Sequence, residues 1–263
     1  MPRQSHTSTF TVTRHTIQYS LAIVICLSTA QLTVAQSEPQ DPHDSSKWEA
    51  AISKFEAADH LQSPPTNSIL FVGSSSIRLW DLEKSFPNLV TINRGFGGSQ
   101  LADSVQFIDR IVLKYKPRAV VMYAGDNDLN AGKSPERVFA DFSEFVAILR
   151  NRLPDTTLHY VAVKPSIKRW KLITHVRRTN ELVNGYCQMH DKLFFVDIDA
   201  PMLNEQGKPK PELFVKDGLH LNESGYRIWS KKLLESLGKA GVAVELDKSA
   251  RKKTTGDLEE SQN

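Results

Sequence analysis

Cysteine is scarce in this chain of 263 residues, with Cys26 and Cys187 as its two examples. Cys26 lies in an N-terminal segment that we predict is removed, so the mature protein would keep one thiol and form no internal disulfide. This excludes a small scaffold held together by disulfides. We interpret Cys187 as a helix residue packed on the core.

Acidic residues and lysine are absent from the first 35 residues, which contain Arg3 and Arg14, an apolar run at 21–27 and small residues up to Ala35. A basic start, a short apolar run and small residues are the pattern of a signal peptide. Because the apolar run is shorter than the roughly 20 residues that span a bilayer, we expect no stable membrane insertion. The sequence predicts a bacterial protein that is cleaved near Ala35 and is then secreted or periplasmic. The alternative is an uncleaved N-terminal anchor.

A large excess of either charge is also lacking. The formal net charge is +3, and removal of the leader leaves 31 basic against 30 acidic residues, or +1. The positive charge of the basic run at 251–253 is balanced by acidic residues that follow it, so we interpret residues 244–263 as a charged, disordered tail. With no basic stripe along the chain, we expect no nucleic-acid partner.

The remaining sequence reads as a polar linker over residues 36–45 and one domain over residues 46–243. Ser46 and Glu49 resemble a capping box that starts a helix, and Pro64-Pro65 ends it. Trp48, Ile52 and Phe55 recur along this helix at helical spacing. Five short apolar runs, rich in β-branched and aromatic residues, are typical of buried parallel strands. These runs are 69–72, 89–92, 119–123, 158–163 and 193–196.

Helical patterns alternate with these runs. Ser134-Pro135-Glu136 is a favourable helix start, and Asn222 begins a last helix with a periodic apolar face. Strands that alternate with helices predict the fold class α/β, as a three-layer α/β/α sandwich around a five-stranded, mostly parallel sheet.

Three loops that contain glycine directly follow the first three predicted strands, at 73–76, 95–98 and 125–128. The carboxyl ends of parallel strands lie at one edge, where ligands bind. Asp217 and His220 lie between the fifth strand and the last helix, so they can reach the same edge. A serine, a histidine with a nearby carboxylate and fixed hydrogen-bond donors are the groups that hydrolyse esters through an acyl-enzyme.

These motifs, over roughly residues 66–240, resemble the SGNH subgroup of the GDSL esterase/lipase superfamily, whose fold is flavodoxin-like. The family's nucleophile lies in a Gly-Asp-Ser segment after the first strand. Here Ser74 stands where aspartate is usual, which leaves three adjacent serines in Gly73-Ser74-Ser75-Ser76. Counting from Gly73 and checking against Trp80 assigns Ser75 as the nucleophile.

The resemblance implies the other roles as well. His220 would be the general base and Asp217 its partner, in preference to His190 and Asp199. The oxyanion donors would be the backbone amide of Ser75, that of Gly98 (with Gly97 as the alternative) and the side chain of Asn127. The resemblance implies no cofactor and no metal.

Three charged residues near these motifs have weaker assignments. Asp126 and Asp128 could suggest a metal site, but we expect them to be capping, solvent-exposed residues. The loop 164–169 follows the fourth strand at the same edge, where Arg169 would either meet a polar substrate or belong to an ordinary loop.

For function, the sequence predicts a serine esterase. The segments 73–78 and 93–98 look closest to the platelet-activating-factor acetylhydrolase-like and acetylesterase branches. We therefore expect a short acyl group, acetate above all, on a carbohydrate or other polar alcohol, in a small ester or acetylated glycan. The alternatives are a lysophospholipase or thioesterase, a flavodoxin-like protein whose serines hold a flavin phosphate, and a carbohydrate-binding relative without activity. Nothing in the sequence specifies an oligomeric state.

Overall fold

The computed structural model of the protein describes Met1 and residues 43–242. Its centre is one sheet of five parallel strands in the order β2-β1-β3-β4-β5, so the predicted α/β class and the strand count are confirmed. The strands are β1 (Ile69–Gly73), β2 (Thr91–Gly95), β3 (Ala119–Tyr123), β4 (Thr157–Val161) and β5 (Leu193–Val196).

Helices cover both faces of this sheet and complete the three predicted layers. The α-helices are α1 (Glu49–Leu61), α2 (Ser75–Arg78), α3 (Leu82–Ser85), α4 (Leu101–Gln106), α5 (Ile108–Ile111), α6 (Asp126–Asn130), α7 (Pro135–Arg152), α8 (Ile173–Met189), α9 (Asp199–Met202) and α10 (Glu223–Lys239). Short 3₁₀ turns occupy Ser46–Trp48, Leu113–Tyr115, Trp170–Leu172 and Pro211–Leu213.

The core is divided by the sheet into two clusters. Helices α1, α4, α5, α7 and α8 pack with Leu70 and Val72 of β1 on one face, while α2, α3, α9 and α10 pack with Ile69 and Phe71 on the other. Successive side chains of β1 therefore point to opposite layers, and both layers are apolar. This explains why its sequence is a continuous apolar run rather than an alternating one.

β1 extends one residue beyond its predicted end, to Gly73, and β2 and β4 are displaced from their predicted positions. β2 begins at Thr91 rather than Leu89, because the amide of Leu89 donates to the carbonyl of Phe86 in a turn. β4 ends at Val161 rather than Val163, because the amide and carbonyl of Val163 bond the side chain of Asn180 instead of a neighbouring strand. In both cases backbone groups that the apolar pattern places in a strand form hydrogen bonds with a partner outside the sheet.

Two of the three predicted helix starts form as expected, and one does not. The side chain of Ser134 accepts from the amide of Arg137 at the start of α7, and Asn222 caps α10 in the same way, as predicted. The capping box of Ser46 and Glu49 does not form. The amide of Ser46 donates to Asp44 over 2.8 Å, and Glu49 instead binds Arg110.

The predicted meeting point of the loops lies where the strands end. Gly73 of β1 is in register with Gly95 of β2 on one side and with Tyr123 of β3 on the other. Gly95 is the last residue of β2 rather than a turn residue. A Cβ at this position would lie 2.3 Å from the amide nitrogen of Arg78, so glycine lets α2 pack directly on the strand.

The predicted leader 1–35 beyond Met1, residues 36–42 of the linker and the tail 244–263 lie outside the described residues. At the start of the described region, His43 and Ser45 both hydrogen-bond Asp103, over 2.8 and 2.7 Å. None of the described helices combines the length and the apolar character needed to cross a bilayer.

Candidate active site

The three serines that follow β1 differ in burial and in partners. Ser74 and Ser76 are 2% and 1% exposed, and the Oγ atom of Ser76 accepts from the ammonium of Lys164. Ser75, the first residue of α2, is partly exposed, and its Oγ atom lies 3.0 Å from the Nε2 atom of His220. The geometry therefore distinguishes Ser75 as the serine with a base beside it.

The other ring nitrogen of His220 faces a carboxylate. Its Nδ1 atom lies 2.5 Å from Oδ2 of Asp217, whose Oδ1 atom accepts from the amides of Leu219 and His220. Burial alone would raise the pKa of Asp217, but these hydrogen bonds, led by that of the His220 ring, lower it to about 2. The ionised carboxylate favours a proton on Nδ1, which leaves Nε2 free to accept from Ser75.

A tight loop carries this pair. Phe214 and Leu221 form an antiparallel bridge, and the amide of Val215 donates to the carbonyl of His220 over 2.9 Å. The carbonyl of Gly218 accepts from the amide of Lys168, which joins the loop to the segment after β4. Because Asp217 and His220 share one closed loop, their mutual orientation is fixed locally, as their spacing predicts.

The predicted oxyanion donors lie in the segments that directly follow β1, β2 and β3. Gly98 has a φ of +84°, a backbone conformation that favours glycine. Within residues 43–242, no protein group accepts from the backbone N–H groups of Ser75, Gly97 or Gly98. Asn127, in the first turn of α6, donates one Nδ2 hydrogen to the carbonyl of Ser99 over 2.9 Å. Its second Nδ2 hydrogen has no acceptor among residues 43–242.

Sequence comparison decides the family. A model of the GDSL-like Lipase/Acylhydrolase family matches residues 78–228, which is more than half of the chain. The chain belongs to this family. This GDSL-family protein is accordingly an ester hydrolase, and the alternative of a flavodoxin-like binding protein is set aside.

Known proteins agree with this assignment. The GDSL-family chain is 25% identical over 195 residues to platelet-activating factor acetylhydrolase IB subunit alpha1 of Bos taurus, covering 71% of this chain and 81% of the relative. A GDSL-like lipase from Bacteroides thetaiotaomicron shares the fold at a TM-score of 0.63 and 19% identity, over 73% of this chain and 98% of its own. A carbohydrate esterase family 3 protein from Talaromyces cellulolyticus shares it at a TM-score of 0.51 and 16% identity, over 65% and 96%.

Asp126 and Asp128, on either side of Asn127, are buried, so the expectation that they are exposed to solvent is wrong. Asp128 accepts from the amides of Leu101 and Gly125 and thereby caps α6, as expected. Burial raises the pKa of Asp128 despite its hydrogen bonds and the nearby charge of Lys133. Among the residues the structure describes, no group of three or more metal-ligating side chains comes together.

Asp126 lies between two cations from the segment after β4. Its carboxylate is 3.0 Å from Nζ of Lys164 and 2.6 Å from Nη1 of Arg169. Burial opposes its ionisation, yet the charges of Lys164 and Arg169 hold the pKa of Asp126 below its ordinary value. The guanidinium of Arg169 also donates to Oδ1 of Asn127 over 3.0 Å. Arg169 is thus engaged by protein groups rather than held open to a polar substrate.

Trp48 is a neighbour of the site, although its sequence pattern predicts only a place on a helix face. It belongs to the 3₁₀ turn before α1, and its ring packs edge-on against Phe96 with centroids 5.8 Å apart. A Cβ at Gly98 would lie 3.2 Å from the indole ring. The Trp48 indole therefore borders the predicted oxyanion glycine. Its helical spacing with Ile52 and Phe55 predicts an apolar helix face and carries no signal for the site.

The other candidate residues are engaged elsewhere. The ring of His190 contacts the carbonyl of Tyr186, and Asp199 lies 3.6 Å from Arg177. Cys187 is buried on α8 against the core, as predicted, and burial raises its pKa to about 12. This thiol is unreactive at neutral pH because the thiolate is the reactive form.

Proposed function

We propose that this GDSL-family hydrolase cleaves carboxylic esters through an acyl-enzyme on Ser75. The observation that carries the proposal is the continuous chain of contacts from Oγ of Ser75 through the ring of His220 to the carboxylate of Asp217. A serine hydroxyl becomes a competent nucleophile when a base accepts its proton, and the carboxylate orients that base and stabilises the imidazolium.

In the first step, Oγ of Ser75 attacks the ester carbonyl carbon while its proton passes to Nε2 of His220. The carbonyl oxygen becomes an oxyanion that accepts from the amides of Ser75 and Gly98 and from Nδ2 of Asn127. Collapse of this intermediate breaks the bond to the alcohol oxygen, which leaves with the proton from His220. Water then attacks the acyl carbon, giving its proton to His220, and the acid leaves as Ser75 regains its hydrogen.

We propose short acyl groups, acetate above all, on a carbohydrate or similar polar alcohol. Trp48 supports this choice, because its indole borders Gly98 and so limits the space beside the carbonyl oxygen of a bound ester. The name of the Bos taurus relative describes an acetylhydrolase, which supports the acetyl group, and that of the Talaromyces cellulolyticus protein describes a carbohydrate esterase, which supports the alcohol.

We also propose that the protein works outside the cytoplasm. The support is the leader pattern of residues 1–35, with its basic start, short apolar run and small residues before Gln36. Polymeric or surface-attached acetylated glycans would be accessible to an exported enzyme.

The nucleophile is tested with a fluorophosphonate, which reacts covalently with activated serines. Mass spectrometry of the labelled protein should locate the adduct on Ser75. The Ser75→Ala variant should lose nearly all esterase activity, whereas Ser74→Ala and Ser76→Ala should retain a substantial part. An adduct on Ser74 or Ser76 would show that the nucleophile is misassigned.

A further inference from the structure

A buried cluster of three charged side chains lies directly beside the site. The side chains of Lys164, Asp126 and Arg169 are 1%, 6% and 12% exposed, and the carboxylate pairs with both cations. Burial of ions carries a large desolvation penalty, which pairing offsets only in part, so such a cluster contributes little net stability. Two basic side chains thus share one carboxylate next to the predicted oxyanion donors.

The cluster is connected to the site through Asn127. Arg169 Nη2 donates to Oδ1 of this asparagine over 3.0 Å, while Nδ2 donates to the carbonyl of Ser99 over 2.9 Å. The two ends of a primary amide have opposite hydrogen-bonding roles, so these two partners together define which end is which. With both partners in place, the amide has one orientation, and the direction of its remaining Nδ2 hydrogen is fixed.

The guanidinium is suited to this task by its shape. Nη1 of Arg169 forms an ion pair with Asp126, and Nη2 donates a hydrogen bond to the next residue, Asn127, so one planar group contacts two consecutive side chains at the start of α6. A lysine ammonium is a point charge on a flexible stem and lacks this rigid fork. Lys164 holds the far side of the cluster, where its ammonium also donates to Ser76 and Tyr123.

We propose that Arg169 is a positioning residue, which directs the Asn127 amide toward the oxyanion and is itself held by Asp126 and Lys164. The inference rests on the proposed function, because it assigns a task to the same oxyanion site. Without Arg169 the amide can turn and present its oxygen, which repels the developing negative charge. Fixed donors are effective because they need no reorganisation during the reaction.

A double-mutant cycle tests the proposal with Arg169→Met, Asn127→Ala and the combined variant. Arg169→Met should lower kcat about 10- to 100-fold, less than the loss of a whole donor, with KM changed less than about threefold. In the Asn127→Ala background the same substitution should change kcat less than about threefold, because its effect passes through the missing amide. Arg169→Lys should recover thermal stability through Asp126 but not the full kcat.

The matched control is Arg178→Ala on α8, an arginine that pairs with the surface residues Glu136 and Glu181. It should leave kcat and KM unchanged. An equal loss of kcat from Arg169→Met in both backgrounds, a rise in KM alone, or full recovery by Arg169→Lys would each overturn the positioning role.

A second measurement does not depend on the reaction. In ¹⁵N NMR spectra, the side-chain amide of Asn127 should lose order in Arg169→Met and keep it in Arg178→Ala. An amide that stays ordered in Arg169→Met overturns the inference even when Ser75→Ala abolishes esterase activity. Retained activity in Ser75→Ala would instead overturn the proposed function, while the amide signals would still report on Arg169.

Discussion

The Oγ atom of Ser75 lies 3.0 Å from Nε2 of His220, although 145 residues separate them in the chain. Each residue is fixed by its own contacts. The hydroxyl of Tyr226 on α10 donates to the carbonyl of Ser76, next to Ser75, and the Asp217 carboxylate holds the His220 ring. The helix that follows the histidine loop therefore also holds the serine turn, so docking of α10 on the sheet assembles both halves of the site.

Replacement of Asn127 by alanine should lower kcat about 10²- to 10³-fold and change KM little, because its free amide hydrogen acts mainly on the transition state. Steady-state kinetics with nitrophenyl acetate measure both constants. Asn184→Ala on α8 is the matched control and should keep wild-type kinetics. A higher KM with an unchanged kcat would assign Asn127 to ground-state substrate binding instead.

Stability should fall in mild acid because of His159 on β4. This ring is fully buried, with Ser236 and Thr157 as its hydrogen-bond partners, and burial lowers its pKa to about 4. The folded protein therefore keeps His159 neutral, while the unfolded chain binds a proton below about pH 6.5. The stabilisation is complete above pH 6.5 and is lost as the pH falls toward 4. By linkage, about 2 kcal/mol should be lost between pH 7 and pH 5.

Denaturant unfolding at pH 7 and pH 5 measures this loss. His159→Gln should be less stable at pH 7 but should show a smaller loss on acidification. His175→Gln, at an exposed position on α8, is the control and should keep the wild-type pH dependence. Equal losses in wild type and His159→Gln would rule out His159 as the cause.

The sequence predicts the sheet because its strands are continuous apolar runs, and it predicts that Asp217 and His220 share a turn because they are three residues apart. Asp126 and Arg169 are different. Polar and charged residues in loops are usually solvated, and pairing between α6 and the segment after β4 depends on a contact between residues 43 positions apart. No local pattern carries that information.

Trp48 is an apolar residue whose place at the site is likewise not predicted by its local sequence. Its spacing with Ile52 and Phe55 predicts burial, and the structure packs it against the core cluster. Its contact with Gly98 depends on where α1 lies across the sheet. The sequence thus predicts that the indole is covered, whereas only the fold brings it to the active site.

The exported protein should begin near Gln36 and should be recovered outside the cytoplasm. The reason is the cleavage pattern that ends at Ala35, where small residues follow the apolar run. N-terminal sequencing or intact mass measurement of the natively exported protein checks this. Retention of Met1 or Pro2 would support the uncleaved anchor, and an Ala35→Arg variant should accumulate as the unprocessed form.

Acyl-chain preference should favour short esters, and Trp48 should help to set it. Each buried methylene contributes about 0.8 kcal/mol, so an extended acyl groove gains specificity as the chain lengthens. A closed pocket should instead lose kcat/KM beyond about four carbons, because added groups clash or stay in water. Nitrophenyl esters from acetate to decanoate measure the profile.

Truncation of the indole should move this profile. Trp48→Ala opens space beside Gly98, so its optimum should shift toward longer acyl chains while activity on acetate falls. Leu61→Ala, at the exposed end of α1, is the control, since Leu61 is 90% exposed and should not alter the profile. A wild-type rise in kcat/KM through octanoate would contradict the short-acyl proposal and favour a lysophospholipase or thioesterase. An unchanged profile in Trp48→Ala would remove the indole from the acyl site.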